Sequence, residues 1–184
     1  MTIHAQIMIG CWVVFLVVWS AFALRRNTGR SSRAPGSVAL RFGTTLAIVL
    51  GLILVRSVPA LTIERLPSAV GAAGSALCVA GAAFAVWARV SLGRSWGMPM
   101  TLHEAPALVT SGPYRYVRHP IYTGMSAMVI GTALVFPLTL PWSLVMLVYM
   151  IVSARREELD MTRRFPDTYP AYRQRSKMLV PFVL

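Results

Sequence analysis

Gly112 to Gly124 reads GPYRYVRHPIYTG and gathers two Arg, one His, three Tyr and two Pro beside a long apolar run. Gly112-Pro113 marks a turn. Pro120 suits the first turn of a helix, where its missing N–H costs little. A helix therefore starts at about His119, and its unpaired first N–H groups and dipole favour an anion. The second cluster is Arg155-Arg156-Glu157-Glu158, at the inner end of the last apolar run, and four of the six acidic residues lie between Glu157 and Asp167. Adjacent carboxylates near a membrane boundary need cationic partners. Neighbours on a helix point about 100° apart, so one Glu can pair with Arg while the other meets a cationic ligand. A simpler reading competes with this one. In it, Arg and Tyr only anchor the chain at headgroup level, and the Glu pair is a solvated helix end of little energetic weight.

The elements that must position these clusters are apolar. The chain has 184 residues, 56% hydrophobic and 13% charged, with a mean hydropathy of +0.62. Its charged fraction is about half that of a soluble domain. Ile7 to Leu24 is uncharged and long enough for one membrane pass. Val38 to Val55 forms a second run, with Arg41 near its start, where it can snorkel. Ser68 to Ala88, the third, is rich in Gly, Ala and Ser, which let helices approach backbone-close and place it centrally in a bundle. Ile121 to Phe136 and Trp142 to Val152 are shorter and are joined by the uncharged turn Pro137 to Pro141. They read as a helical hairpin whose inner ends extend past the headgroups. Arg89 to Arg118 is the longest polar connection, and a loop of that length usually has a job.

The net charge of +12 is not a nucleic-acid signature, because the basic residues lie between apolar runs, as in loops facing an anionic leaflet. Sixteen of the eighteen fall in the loops after runs one and three and in the tail. The positive-inside rule then predicts an all-α bundle of five transmembrane helices, N-terminus out and C-terminus cytosolic, within a single membrane domain over residues 1–184. It places the Gly112–Gly124 loop and the Glu pair together on the cytosolic face. Cys11 and Cys78 read as small buried hydrophobes, with no disulfide framework and no metal-ligand spacing. The first run lacks a basic n-region and a cleavage site, so no separate signal peptide is expected.

Gly112-Pro113-Tyr114, then Arg118-His119-Pro120-Ile121-Tyr122-Thr123-Gly124, then Glu157-Glu158, resembles the RHPxYxG plus EE signature of the isoprenylcysteine carboxyl methyltransferases, to which phospholipid N-methyltransferases are related. Leu108-Val109 before the turn and Phe165, Tyr169 and Tyr172 after the Glu pair extend the likeness, which covers about Arg89 to Phe182. Pro166 departs from it, standing where relatives carry Gly. The resemblance implies S-adenosyl-L-methionine as methyl donor, in a pocket shaped by Leu108, Val109, Gly112, Pro113, Tyr114, His119, Pro120, Tyr122, Gly124, Glu157 and Glu158. It implies a lipophilic acceptor, first of all the carboxylate of an isoprenylcysteine-like molecule, reaching the pocket from the membrane lipid. Arg118 and Glu158 are the residues expected closest to the chemistry, and Met98 and Met100 could line the acceptor's path.

The residue types suit this donor: a Glu can hold its ammonium, Arg118 or a helix start its carboxylate, and Tyr its adenine. No dinucleotide-binding GxGxxG loop is present. Three other readings stay open: a phospholipid amine N-methyltransferase, a sterol-type membrane reductase using a nicotinamide dinucleotide, and a non-catalytic membrane scaffold.

Overall fold

The computed structural model describes residues 3–25, 67–93 and 108–180. Its elements are α1 (Ile3–Arg25), α2 (Ser68–Leu92), a 3₁₀ turn (Gly112–Arg115), α3 (Pro120–Val135), a second 3₁₀ turn (Pro137–Thr139), α4 (Leu140–Arg164) and the short α5 (Tyr169–Arg175). No strand occurs among the described residues. Three segments, Ile3–Phe22, Ser68–Leu92 and Pro137–Arg164, are long and apolar enough to cross a membrane, and the shorter Pro120–Val135 is also apolar. At sixteen residues, α3 is about 24 Å long, less than the roughly 30 Å of a bilayer's hydrocarbon. The expected pass at 38–55 lies outside the described residues, as do Trp96, Met98, Met100 and His103.

The last apolar run ends at Val152, yet its helix continues to Arg164. Arg, Glu, Leu and Met, which dominate Ala154 to Arg164, are good helix formers. The twelve-residue extension carries Glu157 and Glu158 beyond the apolar stretch.

The helices cross where side chains are smallest. A Cβ on Gly124 would lie 2.5 Å from Gly81 O, and one on Gly131 would lie 2.5 Å from Gly74 O. α2 and α3 therefore run antiparallel, with their backbones in contact. α1 packs on both through Met8 and Phe15, which join Cys78, Ala85, Met128 and Val135 in the core. Trp12 Nε1 donates to Thr132 Oγ1 at 2.9 Å. His4 faces Ser75 near the starts of α1 and α2, while the Arg89 guanidinium lies 4.8 Å from the centre of the Phe22 ring near their ends. These two helices thus run parallel. α4 returns antiparallel to α3, with Ser126 Oγ 3.3 Å from Met150 Sδ and Tyr122 bonded to Glu157. One end of the bundle consequently collects the ends of α1, α2 and α4, the start of α3, and the tail.

Candidate active site

The approach to α3 is shaped by three residues. Gly112 adopts φ +59°, and a Cβ there would also lie 2.8 Å from Ser91 Oγ at the end of α2, so two constraints select glycine. Pro113 follows Gly112 in the 3₁₀ turn and Pro120 occupies the first turn of α3. Both are buried, as is Tyr114. Leu108 and Val109 are half-buried at the start of this segment.

The tail then fastens itself to the loop. Val117 and Lys177 form an isolated parallel bridge. Arg118 N donates to Lys177 O at 2.7 Å, His119 N to Met178 O at 3.1 Å, and Lys177 N to Tyr116 O at 3.1 Å. The Tyr172 hydroxyl donates to Tyr114 O at 2.6 Å. Burial pushes the Tyr169 and Tyr172 phenols up to about 12 and raises Tyr114 further, so all three stay neutral. Replacing Tyr172 by Phe deletes one bond to a buried carbonyl. It is expected to cost about 1–3 kcal/mol, readable as a lower melting temperature with unchanged helix content.

Arg118 is the hub of the assembly. Its Nε lies 2.6 Å from Glu158 Oε1, with both side chains only 9% exposed. A terminal nitrogen donates to Arg173 O at 3.1 Å and also to Ser176 O. Arg173 Nε stands 3.8 Å from the other Glu158 oxygen. Glu158 is thus held from two sides, and the guanidinium of Arg118 ties α4 to the tail.

His119 is buried beside both acids, with Nδ1 3.4 Å from Glu157 Oε2 and Nε2 3.7 Å from Glu158 Oε1. The Tyr122 ring stacks on it at 5.8 Å between centroids, and its hydroxyl donates to Glu157 Oε1. Burial alone would lower the imidazole pKa, but the contact of Nδ1 with Glu157 and the charges of Glu157 and Glu158 outweigh it and raise the value above 6.5. The charged imidazolium is therefore favoured in the folded state. Its stabilisation is full below the unfolded value of about 6.5 and is lost as pH rises through the folded-state pKa. A melting temperature that falls over this window, and falls less in a His119→Gln variant, is the expected result. An identical pH profile in the two proteins would contradict it.

Glu157 differs from its neighbour: its side chain remains 50% exposed. Two donors orient it and one side stays open, as expected for an acid that meets a ligand. Arg118, His119, Tyr122, Glu157 and Glu158 thus come together, with Gly112, Pro113, Tyr114 and Pro120 shaping the backbone beneath them. Gly124 does not share this surface, because it is buried against Gly81 and Ala85 in the α2–α3 seam. Sequence reasoning missed the carbonyls of Arg173 and Ser176 and the pairing of Lys177 and Met178. These are backbone contacts, which residue type does not advertise.

Known proteins resemble part of this chain. A methanethiol S-methyltransferase from Crocosphaera subtropica is 33% identical over 70 residues, covering 38% of this chain and 28% of that protein. The protein-S-isoprenylcysteine O-methyltransferase of Schizosaccharomyces pombe is 35% identical over 79 residues, covering 41% and 34%. Methanethiol S-methyltransferase 1 of Bradyrhizobium diazoefficiens is 34% identical over 77 residues, covering 42% and 27%. The chain thus spans about a third or less of the length of these relatives. No solved structure matches it. The loop, the hairpin and the Glu pair all fall inside residues 70–168, which match the phospholipid methyltransferase family, and the chain belongs to that family.

Proposed function

We propose that the protein is an integral membrane methyltransferase that uses S-adenosyl-L-methionine and methylates a lipophilic acceptor on the cytosolic face. The observation that carries this reading is the half-exposed Glu157 carboxylate, oriented by Tyr122 and His119 beside a buried Arg118–Glu158 pair. This donor set fits the cofactor: Glu157 can hold its ammonium, and the half-buried Tyr122 ring, stacked on His119, offers a flat surface to its adenine. When bound, the cofactor supplies an electrophilic methyl group on a sulfonium. The residues around it then align the reactants and exclude water. Transfer to an anionic nucleophile loses charge toward the transition state, so those two effects accelerate it without a strong base. In this arrangement Arg118 and Glu158 position the site, and Glu157 touches the ligand. The parallel course of α1 and α2 supports a returning pass at Val38 to Val55, and hence the five-span bundle.

The acceptor we favour is the carboxylate of an isoprenylcysteine-like molecule, which the fission-yeast relative's name supports. A thiol acceptor is the second reading, carried by the two relatives named for methanethiol. A phospholipid amine would also need a base for its proton, which Glu157 could provide.

Titration of the detergent-solubilised protein with S-adenosylhomocysteine, and separately with NADPH, tests the class. Heat should be released with the first and not the second. Binding of NADPH alone would make the protein a reductase, and binding of neither a scaffold. Radiolabelled methyl transfer onto a farnesylcysteine analogue, phosphatidylethanolamine and methanethiol then ranks the acceptors.

A further inference from the structure

Midway along the parallel helices α1 and α2, two thiols meet. Cys11 Sγ and Cys78 Sγ are 3.4 Å apart, in van der Waals contact, against the roughly 2.05 Å of a disulfide. Cys78 is fully buried and Cys11 half-buried. Met8, Phe15 and Met128 surround them, and none of these residues belongs to the methyl-transfer site. From the helix starts at Ile3 and Ser68, at 1.5 Å per residue, Cys11 lies about 12 Å along α1 and Cys78 about 15 Å along α2. With α1 and α2 read as membrane passes, on which this inference rests, both sulfurs sit at hydrocarbon depth. Water-borne oxidants and thiol reductants partition poorly there, whereas oxidised lipid tails do not.

We propose that Cys11 and Cys78 form a membrane-buried oxidation site that reduces lipid hydroperoxides and cross-links α1 to α2. Cys11, the more accessible thiol, attacks the terminal peroxide oxygen. The O–O bond breaks, Cys11 becomes a sulfenic acid, and its proton leaves with the lipid alkoxide as an alcohol. Cys78 then attacks the Cys11 sulfur; the S–S bond forms, the S–O bond breaks, and water departs with the Cys78 proton. In sum, two thiols and one hydroperoxide give a disulfide, a lipid alcohol and water. Apolar surroundings slow the first step by disfavouring the thiolate. Contact between the sulfurs makes the second step intramolecular and fast.

The test uses the full chain in phosphatidylcholine vesicles containing a phosphatidylcholine hydroperoxide. The intact mass should fall by two hydrogens, and the α1 and α2 peptides should stay joined after proteolysis between the helices until a reductant is added. Cys11→Ser and Cys78→Ser should not cross-link, and Cys78→Ser should retain a sulfenic acid that dimedone traps. Oxygen added to methionines while both thiols remain alkylatable would overturn the proposal. So would peptides that separate without reductant, or aqueous hydrogen peroxide cross-linking the protein as fast as the lipid hydroperoxide does.

Discussion

Replacing Glu158 by alanine is expected to destabilise the protein by about 3–5 kcal/mol, the cost of leaving one member of a buried ion pair without its partner. Arg118 would keep its two tail carbonyls but lose the carboxylate 2.6 Å away, and its charge would remain in a nearly closed setting. The loop, α4 and the tail meet at this pair, so S-adenosylhomocysteine binding should disappear as well. Glu157→Ala separates the two roles. That side chain is half exposed, so its loss should weaken binding at least tenfold, about 1.4 kcal/mol, and lower melting by less than Glu158→Ala does. Denaturant titration and calorimetry on both variants check this. An Arg118→Ala, Glu158→Ala double variant should be less destabilised than the sum of the single ones, because the two effects share one interaction. Wild-type stability in Glu158→Ala would sink the positioning role of the pair.

Gly124→Ala should be almost as damaging, although it adds only a methyl group. The new carbon would sit 2.5 Å from Gly81 O, 2.7 Å from Ala85 N and 2.8 Å from Ala85 Cβ. Two of these obstacles are backbone, so no rotamer relieves them, and α2 and α3 must separate. A loss of about 3 kcal/mol is expected, the upper end of ordinary overpacking, together with exposure of Cys78 to alkylation. Were Gly124 instead a surface of the ligand pocket, the variant would melt normally and fail only in binding. Thermal melting beside ligand titration distinguishes the two outcomes.

That contrast shows what the residues disclosed on their own. Pro120 after His119 announced the start of α3, because proline's ring suits a first helical turn and its missing N–H costs nothing there. That Glu158 pairs with Arg118 while Glu157 points elsewhere and stays half exposed follows from the 100° step of a helix. The glycines of α2 marked a close crossing, but the partner of each was hidden: Gly124 belongs by spacing to the RHPxYxG signature and by contact to Gly81. Arg118 read as a group free to meet a carboxylate ligand, and the folded chain engages it with Glu158 and two tail carbonyls. Its tail partner Ser176 is 58 residues away, and nothing in a tail's side chains reveals which of its carbonyls will accept a bond. The extension of α4 past Val152 to the Glu pair is legible in the sequence, and good helix formers carry it on to Arg164.

The bridge between Val117 and Lys177 also bears on the order of assembly. α2 and α3 can seat through their glycines with no help from the tail, whereas the tail can close only over a start of α3 that is already in place. Bringing Ser176 back to Arg118 closes a long loop, at an entropic cost that grows slowly with length, and a few polar contacts must offset it. Mild denaturant should therefore release the tail before the bundle melts, leaving a seated but open state that regains ligand binding when the denaturant is diluted.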